Sequence, residues 1–344
     1  MLLEREDATL DIADKNGQTP LSWATRMGHE GIVKVLLERE DVARNTTDKD
    51  GQTPLSWAAR MGHEGIVGVL LEREDIAPNT TDKDGRTPLW WAARMGREGI
   101  VKVLLEREDV APDTTDKDGR TPLSWAASGG HKGIVKVLLE QEGVTPDTKD
   151  KDGQTPLMWA AEFGNGGVVE MLLEREDVTP DVADKKGRTP FSWAAGNGHW
   201  DVVATLLGRK DVAVARDAKD KDGRTSLSWA AIGGHESLVR MLLEQEGITP
   251  DTADEGGRTP LSWARICGHF GVVGRLFIWH VTSQRALTQT PEKRRGGAIK
   301  RRLGNQNSVS QSVGSNSSRD LSLAEPSETS QRPSKRIRRF QHSR

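Results

Sequence analysis

The sequence predicts an all-α solenoid of about eight helix-turn-helix units with projecting β-turn fingers, followed by a basic disordered tail. Three observations carry that expectation. The stretch D-K-D-G-R-T-P-L-S-W-A-A at Asp116–Ala127 recurs almost unchanged from Asp48 and Asp82. Thr19, Thr53, Thr87, Thr121, Thr155, Thr189, Thr225 and Thr259 each open T-P-L-x-W-A or a close variant, in steps of 34 residues with one of 36. Finally, each unit holds only two short helical patterns. Isolated helices of about ten residues are marginal in water, so the units must stack on one another to bury their apolar faces.

The elements of one unit follow in order. Asp118-Gly119 is a tight-turn pair, since Gly tolerates positive φ, and it recurs at Asp50-Gly51, Asp84-Gly85, Asp152-Gly153 and Asp222-Gly223. Thr121 supplies the oxygen that a helix N-cap needs, and Pro122 suits the first turn, where its missing N–H would be unpaired anyway. Leu123, Ala126 and Ala127 then share one face. Gly130 ends this first helix in the left-handed conformation. A second helix is expected from about Lys132 to Gln141. Its stripe is Ile134, Val135, Val137, Leu138 and Leu139, with Lys132, Lys136 and Glu140 on the wet side.

The array is expected over residues 11–280. Residues 1–10 read as the remnant of a preceding repeat, because M-L-L-E-R-E-D matches V-L-L-E-R-E-D at Val103. That half-unit predicts a fragment of a longer protein. In the last unit Arg265 and Arg275 stand where other units carry Ala and Val or Met, at positions expected to face a following repeat. Phe277, Ile278 and Trp279 are expected to fold back over the last helices.

Residues 281–344 carry 14 Lys and Arg against 4 Asp and Glu, a net +10, whereas the rest holds 35 against 47, a net −12. Few apolar residues there can offset the entropy of ordering, which predicts disorder. Two basic clusters, Lys293, Arg294, Arg295, Lys300, Arg301, Arg302 and Lys335, Arg336, Arg338, Arg339, have the form of nuclear import signals, which engage an importin, or of nucleic-acid patches. The acidic array is itself a poor duplex binder. One cysteine, Cys267, excludes a disulfide framework and suits a reducing interior, cytoplasmic or nuclear. No apolar run reaches the 18 residues of a membrane span, and no secretory leader is visible.

The eight repeat tryptophans (Trp23, Trp57, Trp91, Trp125, Trp159, Trp193, Trp229, Trp263) are the most unusual residues. Trp125 lies about 200° around the helix from Leu123, which predicts packing between repeats with part of each ring exposed. The His of each G-H pair (His29, His63, His131, His199, His235, His269) is expected to bond locally after the helix stop. D-K-D-G is not a calcium loop: Trp125 stands where the bidentate Glu belongs, and Thr114 at the first ligand position. No metal, cofactor or catalytic residue is expected, since neither G-x-S-x-G nor G-x-x-x-x-G-K-[ST] occurs.

T-P-L-x-x-A with this period resembles the ankyrin repeat, whose signature is T-P-L-H-x-A with a period of 33. The usual His after Leu is Ser at Ser22, Ser56, Ser124, Ser192, Ser228 and Ser262. D-G-R-T-P-L-S-W-A-A with V-x-P-D between units is also similar to the arrays of fungal NACHT-type signalling ATPases, where such repeats are thought to recognise ligands. The resemblance implies a protein-binding adaptor or scaffold, or alternatively the ligand-sensing end of such an ATPase. It also implies that the last turn of each first helix faces the concave groove, where ligands are touched. There the units differ: Arg26-Met27, Arg60-Met61 and Arg94-Met95 give way to Ser128-Gly129, Glu162-Phe163, Gly196-Asn197, Ile232-Gly233 and Ile266-Cys267. Arg26, Met27, Arg60, Met61, Arg94, Met95, Glu162 and Phe163 are therefore the candidate partner-binding residues. The three Arg-Met pairs form a basic, pliable patch that Glu162-Phe163 breaks, and an acidic or mixed segment would lie across repeats 1 to 5.

Overall fold

The computed structural model describes residues 10–208 and 216–288, with side chains as far as residue 283. Sixteen helices and no strand occur among them. They form eight pairs: α1 (Pro20–Met27) with α2 (Glu30–Leu37), α3 (Pro54–Met61) with α4 (Glu64–Leu71), and α5 (Pro88–Arg94) with α6 (Glu98–Leu105). Next come α7 (Pro122–Ser128) with α8 (Lys132–Leu139), α9 (Pro156–Glu162) with α10 (Gly166–Leu173), and α11 (Pro190–Asn197) with α12 (Trp200–Gly208). The last are α13 (Ser226–Gly233) with α14 (Glu236–Leu243), and α15 (Pro260–Ile266) with α16 (Phe270–Thr288).

Local chemistry starts and stops these helices as expected. In all eight first helices the cap Thr hydroxyl accepts a hydrogen bond from the backbone N–H three residues on, as Thr121 does from Ser124 at 3.2 Å. Gly119 (φ +83°) closes the finger, its N–H donating to the Asp116 carbonyl at 2.9 Å. A side chain there would also run into Asp150 and Lys151 of the next finger, 3.2 Å from an added Cβ.

The first helices pack side by side in one layer and the second helices in another, each pair closing the space between. Alanine pairs such as Ala58-Ala59, Ala126-Ala127 and Ala160-Ala161 are completely buried, which lets the first helices approach closely. Leu123, Ile134, Val135 and Leu138 are buried in the same continuous core, while Lys132, Lys136 and Glu140 face solvent.

The final unit departs from expectation. Helix α16 runs for 19 residues instead of turning back, and Phe277 and Ile278 lie 59% and 60% exposed on it. An unbroken helical backbone cannot fold over its own unit. Arg275 likewise reaches back to Glu236 of the preceding repeat, with Nε 2.8 Å from Oε1, rather than toward a following one.

Candidate interaction surface

Each unit builds the same polar joint between its finger and its first helix. In the fourth, Asp116 Oδ1 accepts the backbone N–H groups of Asp118 and Arg120, both at 2.9 Å, fixing the finger. Its Oδ2 accepts the indole N–H of Trp125, nine residues on, at 3.3 Å. The same indole-to-carboxylate bond recurs in all eight units, from Trp23–Asp14 to Trp263–Asp254, at 2.9–3.3 Å. The tryptophans thus pack between repeats: Trp57 and Trp91 are buried, whereas Trp23 is 41% exposed. Where the family signature places His, the serine hydroxyl turns to its own cap, Ser124 Oγ lying 3.1 Å from Thr121 Oγ1. Attachment of finger to helix passes to the indole.

Arginines cover the rings. Arg26 lies between Trp23 and Trp57, its guanidinium carbon 5.3 and 4.6 Å from the ring centroids, and Arg60 spans Trp57 and Trp91 at 5.2 and 4.2 Å. Arg94 continues the row onto Trp90 and Trp125 at 5.3 and 4.3 Å. A second row, which sequence reasoning missed, comes from the residue after the finger glycine: Arg86, Arg120, Arg188, Arg224 and Arg258 also lie over repeat tryptophans. Guanidinium–indole stacking of this kind holds a charge in place while leaving its edge able to donate hydrogen bonds. Burial, with Arg86, Arg60 and Arg120 close by, holds the Arg94 guanidinium below its ordinary pKa.

The expected candidates therefore line one edge of the first-helix layer. Met27, Met61 and Met95 are exposed beside the arginines, at 56%, 43% and 38%. The Arg-Met pairs end at the third unit, and the fifth carries Glu162-Phe163 in the same place. There Phe163 stacks on Trp159 with ring centroids 6.0 Å apart, and Glu162 Oε2 accepts from Gln154 Nε2 at 3.1 Å. Burial pushes the Glu162 carboxyl up despite that bond.

The histidines act differently from expectation. His63, His199, His235 and His269 bond through Nε2 to the carbonyls of Arg26, Glu162, Gly196 and Ile232 in the preceding repeat, at 2.8–3.2 Å. They are struts between units, and Arg97 and Asn165 take the same place in the third and fifth. The basic clusters from Lys293 to Arg302 and from Lys335 to Arg339 lie outside the described residues, as do residues 1–9. Among the described residues no helix is long and apolar enough to cross a membrane.

The curated proteins contain no match to this sequence. Ankyrin repeats match it in four overlapping stretches, residues 1–82, 74–150, 142–216 and 210–281. Arrays of this type are generally protein–protein interaction modules and typically non-catalytic. With most of its length matched and the paired helices, capped turns and stacked fingers in place, the chain belongs to the ankyrin repeat family.

Proposed function

We propose that the protein is an interaction scaffold that binds an acidic segment of another protein along the first-helix edge of repeats 1 to 5, the concave face of the family's arrays. The observation that carries this reading is the crowding of Arg60, Arg86, Arg94 and Arg120 on tryptophan faces, where burial first, and repulsion by the neighbouring guanidiniums second, hold the Arg94 pKa below its ordinary value. A carboxylate chain relieves that repulsion, and charge-assisted pairs to Arg are short and bidentate. The exposed methionines beside the row supply adaptable apolar contact.

The test is a random peptide library displayed on phage and selected on the full chain, then on the Arg60→Glu/Arg94→Glu double variant. Enrichment of acidic peptides that the double variant no longer retains supports the reading. Enrichment without acidic bias, or retained equally by the double variant, overturns it.

The D-G-R-T-P-L-S-W-A-A unit favours a second reading of the same face, as the ligand-sensing array of a NACHT-type ATPase. In that case ligand occupancy changes nucleotide turnover when the array is assayed in one polypeptide with such an ATPase domain. In the scaffold reading it does not.

A further inference from the structure

Repeats 6 and 7 differ from repeats 4 and 5 in three ways that coincide in space. First, the tryptophans part. Trp125 and Trp159 stack at 6.4 Å with their planes 18° apart, but between Trp193 and Trp229 a cavity of about 150 Å³ opens over Ser192, Gly196 and Gly233. Second, the finger of repeat 6 reads D-K-K-G, with Lys186 where the fingers of repeats 2 to 5 and 7 carry Asp. Third, an open cleft of about 350 Å³ adjoins the cavity, sharing Arg188 and Trp229 with it.

That cleft is basic. It is lined by Lys185, Lys186, Arg188, Lys221 and Arg224 against Asp220 and Asp222. Both carboxylates are engaged, Asp220 with the Trp229 indole at 2.9 Å and Asp222 with Arg224 at 3.2 Å. Lys185, Lys186 and Lys221 make no ion pair among the described residues, and all three are exposed.

The chain itself shows what fits the cavity. In repeat 3 the residue equivalent to Ser192 is Trp90, which is 1% exposed. Its ring meets Trp91 and Trp125 edge-on at 4.9 and 5.1 Å, and its N–H donates to Oδ2 of Asp116, the carboxylate of the next finger, at 3.2 Å. Asp116 Oδ2 thus accepts two indoles at once, whereas its counterpart Asp220 Oδ2 accepts that of Trp229. A volume of about 150 Å³ is well below the ~300–1,000 Å³ of small-molecule pockets, and suits one side chain.

We infer that repeats 6 and 7 form a second binding site, taking an aromatic side chain of a partner peptide between Trp193 and Trp229 while adjacent acidic residues lie along Lys185, Lys186 and Lys221. The site is separate from the arginine row of repeats 1 to 5 and does not depend on it.

Three substitutions copied from sister repeats test this. Ser192→Trp places in the cavity the residue that repeat 3 carries, and Ser192→Met the one that repeat 5 carries as Met158, itself fully buried. Lys186→Asp restores the usual finger. The probes are two fluorescein-labelled pentapeptides, Glu-Asp-Trp-Asp-Glu and the same peptide with Ala at its centre, titrated against the full chain by fluorescence anisotropy. Circular dichroism checks the fold of each variant.

The Trp peptide is expected to bind about tenfold more tightly than the Ala peptide, the yield of burying one aromatic group in a fitted slot. Ser192→Trp and Ser192→Met should erase that difference. Lys186→Asp should weaken both peptides and reduce their salt dependence, and Arg60→Glu/Arg94→Glu should leave the difference intact. Equal affinity of the two peptides for the wild type, or a difference that survives in whichever Ser192 variant is folded, overturns the inference. So does a difference abolished by Arg60→Glu/Arg94→Glu, which would place the peptide on repeats 1 to 5.

Discussion

Asp116 shows how much one carboxylate can organise: it accepts two backbone N–H groups of its own finger, the indole of Trp125 and that of Trp90. Asp116→Ala is expected to cost about 3 kcal/mol, and Asp150→Ala, which frees a single indole, about 1 kcal/mol less, both read from chemical denaturation. Asp113 makes the opposite case. Its Oδ2 accepts the Thr145 N–H at 3.2 Å, but Oδ1 is buried with no hydrogen-bond partner. In the equivalent places Asn45 and Asn79 use their amide nitrogen to reach the carbonyls of Asp75 and Asp109. Burial raises the Asp113 pKa, outweighing the Thr145 N–H that lowers it. A raised folded pKa contributes stability that is present below the ordinary Asp value of about 3.9 and is lost as pH rises through the folded value. Asp113→Asn should therefore stabilise the protein by about 1 kcal/mol at neutral pH, an advantage that shrinks toward pH ~4 in thermal melts.

Within a unit, the T-P-L opening, the finger glycine and the apolar stripe each named their element from sequence, because caps, turns and amphipathic faces depend on residues a few positions apart. The bond from Trp to Asp could have been found the same way. Every unit keeps Asp nine residues before Trp, and keeps it across the 36-residue step, as Asp220 and Trp229 show. The histidine struts were not legible, since their acceptors are backbone carbonyls 37 to 39 residues away and leave no mark in residue type. Nor was the cavity over Ser192, which exists through side chains that are small rather than through any that is present. The arginine row of the candidate surface was half visible: its Met neighbours are exposed as expected, but stacking on indole depends on the adjoining repeat. Strut chemistry predicts that Arg97→His, replacing a 3.5 Å contact to Met61 by the ring used in other units, raises stability by about 0.5 kcal/mol, and that His199→Ala lowers it by about 1 kcal/mol. Matched thermal melts of the two variants check both signs.

Across the array, each unit rests only on its neighbours, so stability is close to a sum of unit and interface contributions. Excising one period, residues 116–149, should leave a folded chain whose far-ultraviolet helical signal drops by about one eighth and which melts cooperatively; a collapse of the whole signal would contradict nearest-neighbour stacking. The two most regular links between units also point the same way. The finger N–H of a later unit donates to the finger carbonyl of the earlier one, as Lys117 does to Asp84 at 2.8 Å, and each histidine strut runs in that direction too. Every unit thus offers acceptors on one side and donors on the other, like a coupling that joins only head to tail. In genetic terms a stretch of 34 codons becomes an exchangeable cassette: recombination in phase can lengthen, shorten or reshuffle the row without redesigning a joint, leaving the two residues at the end of each first helix free to diversify.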